Sequence, residues 1–267
     1  MAQRTPPAPA SVGAATPHLL TVGGPTGVVR IGDRVHRTTG PWSPAVHRLL
    51  DHVRDKGFHG APRYHGTDPS GREILDYIAG AVLPSPLPDG PAWDRVIATV
   101  GATLRAYHDA TASLAEQSPA GWQFDAVRPI EVVCHNDIAP DNTVLREDGS
   151  VVFIDFDTAG PGPRAWDLGY ALYRFAPLSQ CGGDPAAQGR RARLLLDGYD
   201  ASPADRVATI RLVPERLEVL AAFIQAQAAA GDPAYGHHVA DGHADLYRRD
   251  AAYARSQATT WELLVVT

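Results

Sequence analysis

The segment from residue 131 to residue 156 constrains the fold most, because it places polar side chains between two apolar runs. Residues 131–134 and 151–156 each have the length and composition of a short buried strand, and Asp148-Gly149 is a turn pair directly before the second run. The sequence therefore predicts a hairpin that gathers polar side chains at one end. These side chains are His135, Asp137, Asn142 and Asp155.

The spacing of these side chains indicates phosphate chemistry. The pattern is H-x-D-x-x-x-x-N, followed by an aspartate at the end of the second strand. Asn142 and Asp155 offer hard oxygen ligands, which Mg²⁺ prefers when substrate phosphates complete its coordination. Asp137 is then left to face an acceptor hydroxyl.

Three motifs together resemble the aminoglycoside phosphotransferase family, which consists of small-molecule kinases with a protein-kinase-like fold. They are H-N-D-I-A-P-D-N at residues 135–142, I-D-F-D at 154–157 and W-D-L-G at 166–169. The resemblance covers residues 19–250, and its specificity lies in 133–170. It implies a bilobal α/β (α+β) fold, with a small N-terminal antiparallel sheet lobe and a larger helical C-terminal lobe.

The chain composition predicts where these lobes begin and end. Residues 1–17 are rich in Pro and small residues, which is typical of a disordered tail. A Pro- and Gly-rich link at 80–91 marks a boundary between an N-terminal nucleotide-binding lobe at 18–79 and a catalytic and substrate-binding lobe at 80–267. The first lobe is expected to contain three short strands, a helix that begins near Ser43, and two further strands. The apolar face of this helix is expected to be Val46, Leu49, Leu50 and Val53. In the second lobe, separate helices are expected at 204–212 and 214–230, because proline at 214 removes a backbone donor.

The resemblance implies a role for each polar side chain of the central segment. Asp137 is expected to be the catalytic aspartate, and Asn142 and Asp155 are expected to hold Mg²⁺. His135 is expected to be structural, tying the catalytic loop to the metal-binding segment. Asp167 is expected to be a buried aspartate that hydrogen-bonds the backbone of the catalytic loop.

The resemblance also implies how ATP or GTP is bound. Gly23, Gly24 and Gly27 are expected to form a loop over the phosphates, between the first two strands. Asp76 through Ile78 are expected to form the hinge whose backbone pairs with the nucleobase.

One departure from the family concerns the lysine that usually holds the phosphates on the third strand. Here that strand ends in Arg37, and the only lysine of the chain, Lys56, lies beyond the following helix. Because strand residues alternate, Arg37 is expected on the same face as the apolar Val35, where its guanidinium would replace the lysine. The alternative is a surface arginine paired with an acid of the helix, such as Asp51.

The acceptor is expected to be a small, cationic molecule with a hydroxyl group, such as an aminoglycoside. Asp157 stands where the related D-F-G motif has glycine, and it is a candidate substrate contact. Two alternatives remain open. One is a metabolite kinase of the homoserine, choline or sugar type, and the other is a nucleotide-binding pseudokinase that lacks the strand lysine.

Composition excludes several other classes. A net charge of −6 provides no basic excess for nucleic acid, and no apolar run is long enough to span a membrane. Two cysteines cannot form a disulfide scaffold, so we expect a cytoplasmic protein, present as a monomer or weak dimer. A G-x-G-x-x-A match at 160–165 fits a dinucleotide site poorly, because Pro161 and Pro163 lack the N–H donors that hold a pyrophosphate.

Overall fold

The computed structural model describes residues 18–20, 28–117 and 120–267. The strands in these ranges are β1 (His18–Leu20), β2 (Val28–Ile31), β3 (Arg34–Arg37), β4 (Tyr64–Thr67), β5 (Glu73–Asp76), β6 (Ala81–Val82), β7 (Val132–Cys134), β8 (Thr143–Leu145), β9 (Val151–Phe153) and β10 (Gly160–Gly162). The helices are α1 (Ser43–Asp55), α2 (Pro91–Glu116), α3 (Arg164–Phe175), α4 (Pro185–Tyr199), α5 (Pro203–Ala229), α6 (Pro233–Ala240) and α7 (His243–Val266), with a short 3₁₀ helix at Pro140–Asn142. The expected tail at 1–17 lies outside the described residues.

The first of two compact units contains β1 to β5, and its described part ends at Tyr77. The strands form one antiparallel sheet in the order β1-β2-β3-β5-β4. Across β3 and β5, Val35 lies opposite Leu75 and Arg37 lies opposite Glu73. Leu75 and Glu73 are buried, so Val35 and Arg37 share the buried face of the sheet, as the alternation of the strand predicted.

The second unit contains residues 40–63 and 78–267 and is built around α2. Ile97, Val100, Leu104 and Tyr107 form an apolar stripe on α2 and are fully buried. Helix α4 packs closely on it, because Gly101 of α2 and Gly198 of α4 have no side chains. A Cβ at Gly101 would overlap the carbonyl oxygen of Leu195, and one at Gly198 would overlap that of Ala98. These two glycines therefore set the distance between the helices.

Helix α1 has the predicted apolar face but belongs to the second unit. Val46, Leu49, Leu50 and Val53 are buried at helical spacing, and α1 packs on α2. The expected N-terminal lobe at 18–79 included this helix, so the division of the chain differs from the expected boundaries. The physical reason is that periodicity identifies an apolar face but not the element that covers it.

The C-terminal helices differ from the prediction in where they break. Separate helices at 204–212 and 214–230 were expected, but Pro214 lies inside the continuous helix α5. Pro214 is buried beside Val213 and Leu217, and α5 packs along α3 and α7. This packing outweighs the one backbone hydrogen bond that proline removes. Helix α5 ends at Ala229, and Gly242, with a positive φ of 76°, separates α6 from α7.

Charged residues interrupt the apolar sequence of the long helices α2, α5 and α7. Among the described residues, no helix has an apolar stretch of the length needed to cross a lipid bilayer. The apolar side chains of α5 and α7 pack instead on neighbouring helices of the second unit.

Candidate active site

The strand pairing around the central segment differs from the predicted hairpin. The prediction that residues 131–134 and 151–156 pair with each other is wrong, because β7 pairs with β10 and β8 pairs with β9, both antiparallel. The end of β7 lies beside the start of β10, and the start of β8 lies beside the end of β9. The loop at 135–142, which we call the HND loop, therefore runs beside the loop at 154–159, which we call the DFD segment.

Hydrogen bonds join the HND loop to the DFD segment at both ends. His135 Nε2 lies 3.1 Å from the carbonyl oxygen of Ile154. Asn136 Nδ2 donates to the Thr158 carbonyl at 2.9 Å, and Thr158 Oγ1 donates to the His135 carbonyl at 3.0 Å. The Ile154 N–H donates to the Asn142 carbonyl at 2.9 Å. The two loops therefore form one rigid, cross-linked structure.

The partners of His135 identify its tautomer. A carbonyl oxygen only accepts, so the proton must lie on Nε2, where the Ile154 carbonyl is. The other ring nitrogen, Nδ1, is then free to accept from the Asp137 N–H at 3.3 Å. The ring is buried in this arrangement, which suits a structural group that holds the two loops together.

Asp167 holds the HND loop from the side of α3. Its carboxylate is fully buried and accepts the N–H groups of His135 at 2.7 Å and Asn136 at 2.9 Å. It also lies 3.1 Å from His108 Nε2. Burial works to raise the pKa of Asp167, but the hydrogen bond from His108 and those from the loop backbone lower it overall. The carboxylate is therefore charged at neutral pH.

His108, on α2, completes this buried chain, and sequence reasoning missed it. Burial lowers the pKa of His108, so the ring is neutral and donates its Nε2 proton to Asp167. Its Nδ1 accepts from the Tyr199 hydroxyl at 2.8 Å, and that hydroxyl lies 3.3 Å from an Arg164 donor. His108 was hidden in the sequence because its position on α2 looks like part of an apolar helix face.

Asp137 and Asn142 are joined directly. Asn142 Nδ2 donates to Asp137 Oδ2 at 2.7 Å and to the Asp137 carbonyl at 3.1 Å. Both amide hydrogens of Asn142 therefore face Asp137, which leaves the amide oxygen Oδ1 as the atom for a metal ion. Burial raises the pKa of Asp137, and the nearby Asp155 carboxylate raises it further. His135, Arg174 and the Tyr170 hydroxyl act in the opposite direction.

Asp155 and Asn136 share an unusual backbone conformation. Their φ angles are 65° and 67°, in the left-handed region that Asp and Asn tolerate better than most residues. Such strain is found preferentially at functional sites. Asp155 follows β9, is exposed, and is close enough to Asp137 to influence its charge. Asp157, on the same segment, lies near enough to Tyr235 to raise the pKa of that phenol, as Asp137 also does, although burial is the main cause.

The donor set fits Mg²⁺. Asn142 Oδ1 and the Asp155 carboxylate are hard oxygen ligands on two loops that are held side by side. Mg²⁺ is usually held by one or two protein oxygens, with phosphates and water supplying the rest. In the described parts of the chain, no three His, Cys, Asp or Glu side chains form a group that could hold a metal ion by themselves. The site therefore suits an ion that arrives with a phosphate ligand.

Two further side chains beside Asp137 were missed by sequence reasoning. Arg174 pairs with Asp141 at 2.7 Å and donates to the Tyr170 hydroxyl at 3.1 Å. Tyr170 and Arg174 follow Trp166 at successive intervals of four residues on α3. This spacing places them on one helix face after the W-D-L-G motif, and that periodicity was the available signal.

In the first unit, Arg37 pairs with Glu73 on the neighbouring strand β5. Glu73 is 1% exposed, so this ion pair lies on the buried face of the sheet. Acids of α1, such as Asp51, were the expected partners of a surface Arg37, whereas Glu73 was missed because the pairing of β3 with β5 was not predicted. The available signal was the position of Glu73 two residues before the apolar Leu75, because residues two apart on a strand share one face.

The expected hinge lies where the first unit ends, and the expected phosphate loop lies outside the described residues. Asp76 is held by His65 at 2.7 Å and by Arg34 at 3.1 Å. The Tyr77 N–H donates to the Asp33 carbonyl at 2.9 Å, so it is already used within the sheet. Ile78 is the first residue of the longer of the two segments that form the second unit. Outside the described residues lie Gly23, Gly24 and Gly27.

Sequence comparisons identify relatives of the chain. The sequence model of the phosphotransferase enzyme family matches residues 122–204, which include the HND loop, the DFD segment and Asp167. The trifolitoxin immunity protein of Rhizobium leguminosarum bv. trifolii is 36% identical over 200 residues, which are 70% of this chain and 75% of that protein.

Solved structures share the fold at low sequence identity. A choline/ethanolamine kinase family protein from Mesorhizobium loti has a TM-score of 0.56 at 18% identity, over 96% of this chain and 90% of that protein. A spectinomycin phosphotransferase, solved with ADP and spectinomycin, has a TM-score of 0.56 at 11% identity, over 91% and 93% of the two chains. The expected mixed α/β, protein-kinase-like fold is therefore confirmed. Together with the geometry of the two loops, the 36% identical relative and the match over the catalytic segment show that the chain belongs to the phosphotransferase enzyme family, whose acceptors are hydroxyl groups of small molecules.

Proposed function

We propose that the protein transfers the γ-phosphate of ATP or GTP to a hydroxyl of a small molecule, with Asp137 as the general base. The observation that carries this proposal is the pair of hydrogen bonds from Asn142 Nδ2 to Asp137. They fix the carboxylate beside a metal-ligand oxygen and close to Asp155. Phosphoryl transfer depends mainly on such positioning and on charge neutralisation.

The chain's own residues prepare Asp137 for this role. Asn142 donates to Oδ2, which leaves Oδ1 to accept the proton of the acceptor hydroxyl. Burial and the Asp155 carboxylate raise the pKa of Asp137, which makes the carboxylate a stronger base. Mg²⁺ bound by Asn142 Oδ1 and Asp155 would neutralise charge on the phosphates. Asp157, which follows Asp155 by two residues, is the proposed contact for the acceptor.

For the nucleotide, we assign the phosphate contact of the missing lysine to Arg37. Its guanidinium is charged at all working pH values and can bind two phosphate oxygens at once. The buried Glu73 orients this guanidinium, as an acid orients the lysine in the family. Gly23, Gly24 and Gly27 remain the proposed loop over the phosphates. The hinge from Asp76 to Ile78 remains the proposed site for the nucleobase.

The acceptor we favour is an antibiotic-like molecule, and the role we favour is protection against it. The relative at 36% identity is named for immunity to trifolitoxin, and two structures that share the fold were solved with streptomycin and spectinomycin. A metabolite such as choline or ethanolamine is the second candidate, because a choline/ethanolamine kinase family protein also shares the fold.

The experiment is a nucleotide-consumption assay with Mg²⁺ over a panel of hydroxyl acceptors. The panel holds aminoglycosides, spectinomycin, choline, ethanolamine and homoserine, each with ATP and with GTP. Asp137→Asn is expected to lower turnover by about 10²–10⁴-fold while nucleotide binding persists, because only the base is removed. The control is Asp125→Asn, an exposed acid outside the site.

Two results would contradict the proposal. Turnover of Asp137→Asn within about threefold of the wild type is incompatible with a general base of ordinary size. Tight binding of Mg²⁺-nucleotide without phosphorylation of any acceptor would instead favour the pseudokinase alternative.

A further inference from the structure

Arg216, on α5, is a buried cation that contacts the HND loop from a distant part of the chain. We propose that Arg216 is a positioning residue for Asp137, which it holds in place through the backbone carbonyl of Asn136. This inference rests on the proposed role of Asp137 as the base. Arg216 belongs to none of the motifs that the sequence analysis used.

The contact is short and shielded from water. Arg216 is 2% exposed, and one of its terminal nitrogens donates to the Asn136 carbonyl oxygen at 2.7 Å. On α5, Arg216 lies between the buried Val213 and Leu217. Its charged side chain therefore projects from an otherwise apolar face of the helix. A charged hydrogen bond in a site without water is stronger than the same bond at the surface.

The surroundings of Arg216 do not neutralise its charge. Among the residues that the structure describes, no carboxylate pairs with Arg216, and its Nε is buried without a hydrogen-bond partner. The guanidinium lies instead over the rings of Trp166 at 5.2 Å and Tyr170 at 4.8 Å. Burying a cation without a counter-ion is unfavourable, and an apolar side chain of similar volume would fill this space at less cost. The charge is therefore best explained by the carbonyl that it holds.

That carbonyl belongs to the peptide that leads directly into Asp137. Asn136 has a φ of 67°, and groups of opposite charge hold its backbone on both sides. Asp167 accepts the Asn136 N–H at 2.9 Å, and Arg216 donates to the Asn136 carbonyl. Without Arg216 the carbonyl would lose its charged donor, and the strained peptide could rotate. Such a rotation would displace Asp137, and a shift of about 1 Å at a reacting group can cost about 10²-fold in rate.

Tyr170 gives Arg216 a second connection to the same carboxylate. Its ring lies under the guanidinium, and its hydroxyl is close enough to Asp137 to act on the pKa of that carboxyl. Trp166, Asp167 and Tyr170 are all on α3. One helix therefore supplies both the anion that holds the loop and the aromatic surface that holds the cation.

The test compares Arg216→Met and Arg216→Lys with Arg211→Met as the matched control. Arg211 lies on the same helix but is exposed and pairs with Glu262 at 2.8 Å. Arg216→Met is expected to lower kcat by about 10–100-fold, with KM for nucleotide and acceptor within about threefold of the wild type. Arg216→Lys is expected to recover part of kcat, and Arg211→Met is expected to change neither constant. Amide hydrogen exchange at Asn136 and Asp137 should be faster in Arg216→Met than in the wild type.

The kinetic results can overturn the positioning role of Arg216 in several ways. Wild-type kcat in Arg216→Met, or a rise in KM at constant kcat, would overturn the positioning role. If Arg216→Met does not fold, Arg216→Lys decides, since the proposal requires a lower kcat at unchanged KM and an equal kcat refutes it. Asp137→Asn, assayed in parallel, separates the two ideas. Loss of turnover in Asp137→Asn with full turnover in Arg216→Met refutes only the positioning, whereas turnover in Asp137→Asn refutes the proposed function itself.

Discussion

The HND loop and the sheet of the first unit hold their charged side chains in different surroundings. Asp167 is fully buried and its oxygens accept backbone N–H groups, so water cannot replace any partner. In the sheet, Arg34 and Asp76 form an ion pair in which their side chains are 34% and 25% exposed. A partner lost in the first region leaves a buried polar group unsatisfied, whereas a partner lost in the second is replaced by water. The contribution of a polar contact to stability therefore depends more on its burial than on the distance between its two atoms.

One ion pair of the sheet is buried, as the contacts of Asp167 are. Arg37 and Glu73 pair on the buried face, with 15% and 1% of their side chains exposed. If burial sets the cost of losing a polar partner, loss of this pair should be as costly as loss of a contact of Asp167. It should cost more than loss of the Arg34–Asp76 pair. The following predictions test this, from the largest expected effect to the smallest.

Asp167→Ala should lower the free energy of unfolding by about 3–5 kcal/mol, because it leaves His108 and two backbone N–H groups without their buried acceptor. Chemical denaturation measures this, with Asp125→Asn as a control that should stay within about 0.5 kcal/mol. A loss below about 1 kcal/mol in Asp167→Ala would remove the contrast between the two regions.

Arg37→Ala should weaken Mg²⁺-ATP binding more than tenfold, which is about 1.4 kcal/mol, and Arg37→Lys should keep part of the affinity. The reason is the loss of the phosphate contact that we propose for the Arg37 guanidinium. Calorimetry measures the affinity, and Arg72→Ala is the control, since Arg72 pairs with Asp68 at 2.8 Å. Equal affinity in Arg37→Ala and the wild type would show that Arg37 is only a structural partner of Glu73.

His108→Gln should flatten the pH dependence of stability below neutrality. Burial lowers the pKa of His108 from its usual 6.5, so below that pH the unfolded chain binds a proton that the folded chain does not. The wild type should therefore lose stability as the pH falls from 7 to 5, by no more than about 1.4 kcal/mol per pH unit for one proton. The pKa of Asp167 is lowered in the folded chain, so this carboxylate also stabilises the fold. That stabilisation is lost only at lower pH, as the carboxylate becomes protonated.

Unfolding midpoints at several pH values measure this slope. His59→Gln is the control, because His59 is exposed, and it should keep the wild-type slope. Parallel pH profiles for wild type and His108→Gln would mean that another group dominates in this range.

Arg34→Gln should change the free energy of unfolding by less than about 1 kcal/mol, because its ion pair with Asp76 is half-exposed. The small effect should shrink further in high salt, since salt screens exposed charges. An effect as large as that of Asp167→Ala would show that exposure does not separate the two regions.

The sequence alone determined the parts of the protein that depend on local spacing. The apolar face of α1 and the alternation that puts Arg37 on the same face as Val35 were predicted and are confirmed. The motifs also identified five polar side chains of residues 135–167 as site candidates, and their roles stay a prediction. The structure brings His135, Asp137, Asn142 and Asp155 to two adjacent loops, and Asp167, on α3, accepts backbone N–H groups of the first loop. Helix and strand periods are properties of neighbouring residues, so they can be deduced without knowing the fold.

Only the tertiary structure decided which distant elements meet. The pairing of β7 with β10 corrected the predicted hairpin, and the partners Glu73, His108 and Arg216 came from other strands and helices. Arg216 lies 80 positions along the chain from the Asn136 carbonyl that it holds. When a polar side chain lies in an apolar stripe, the sequence does not reveal which group it will contact. The partner is fixed only when packing removes water and makes an unsatisfied group costly.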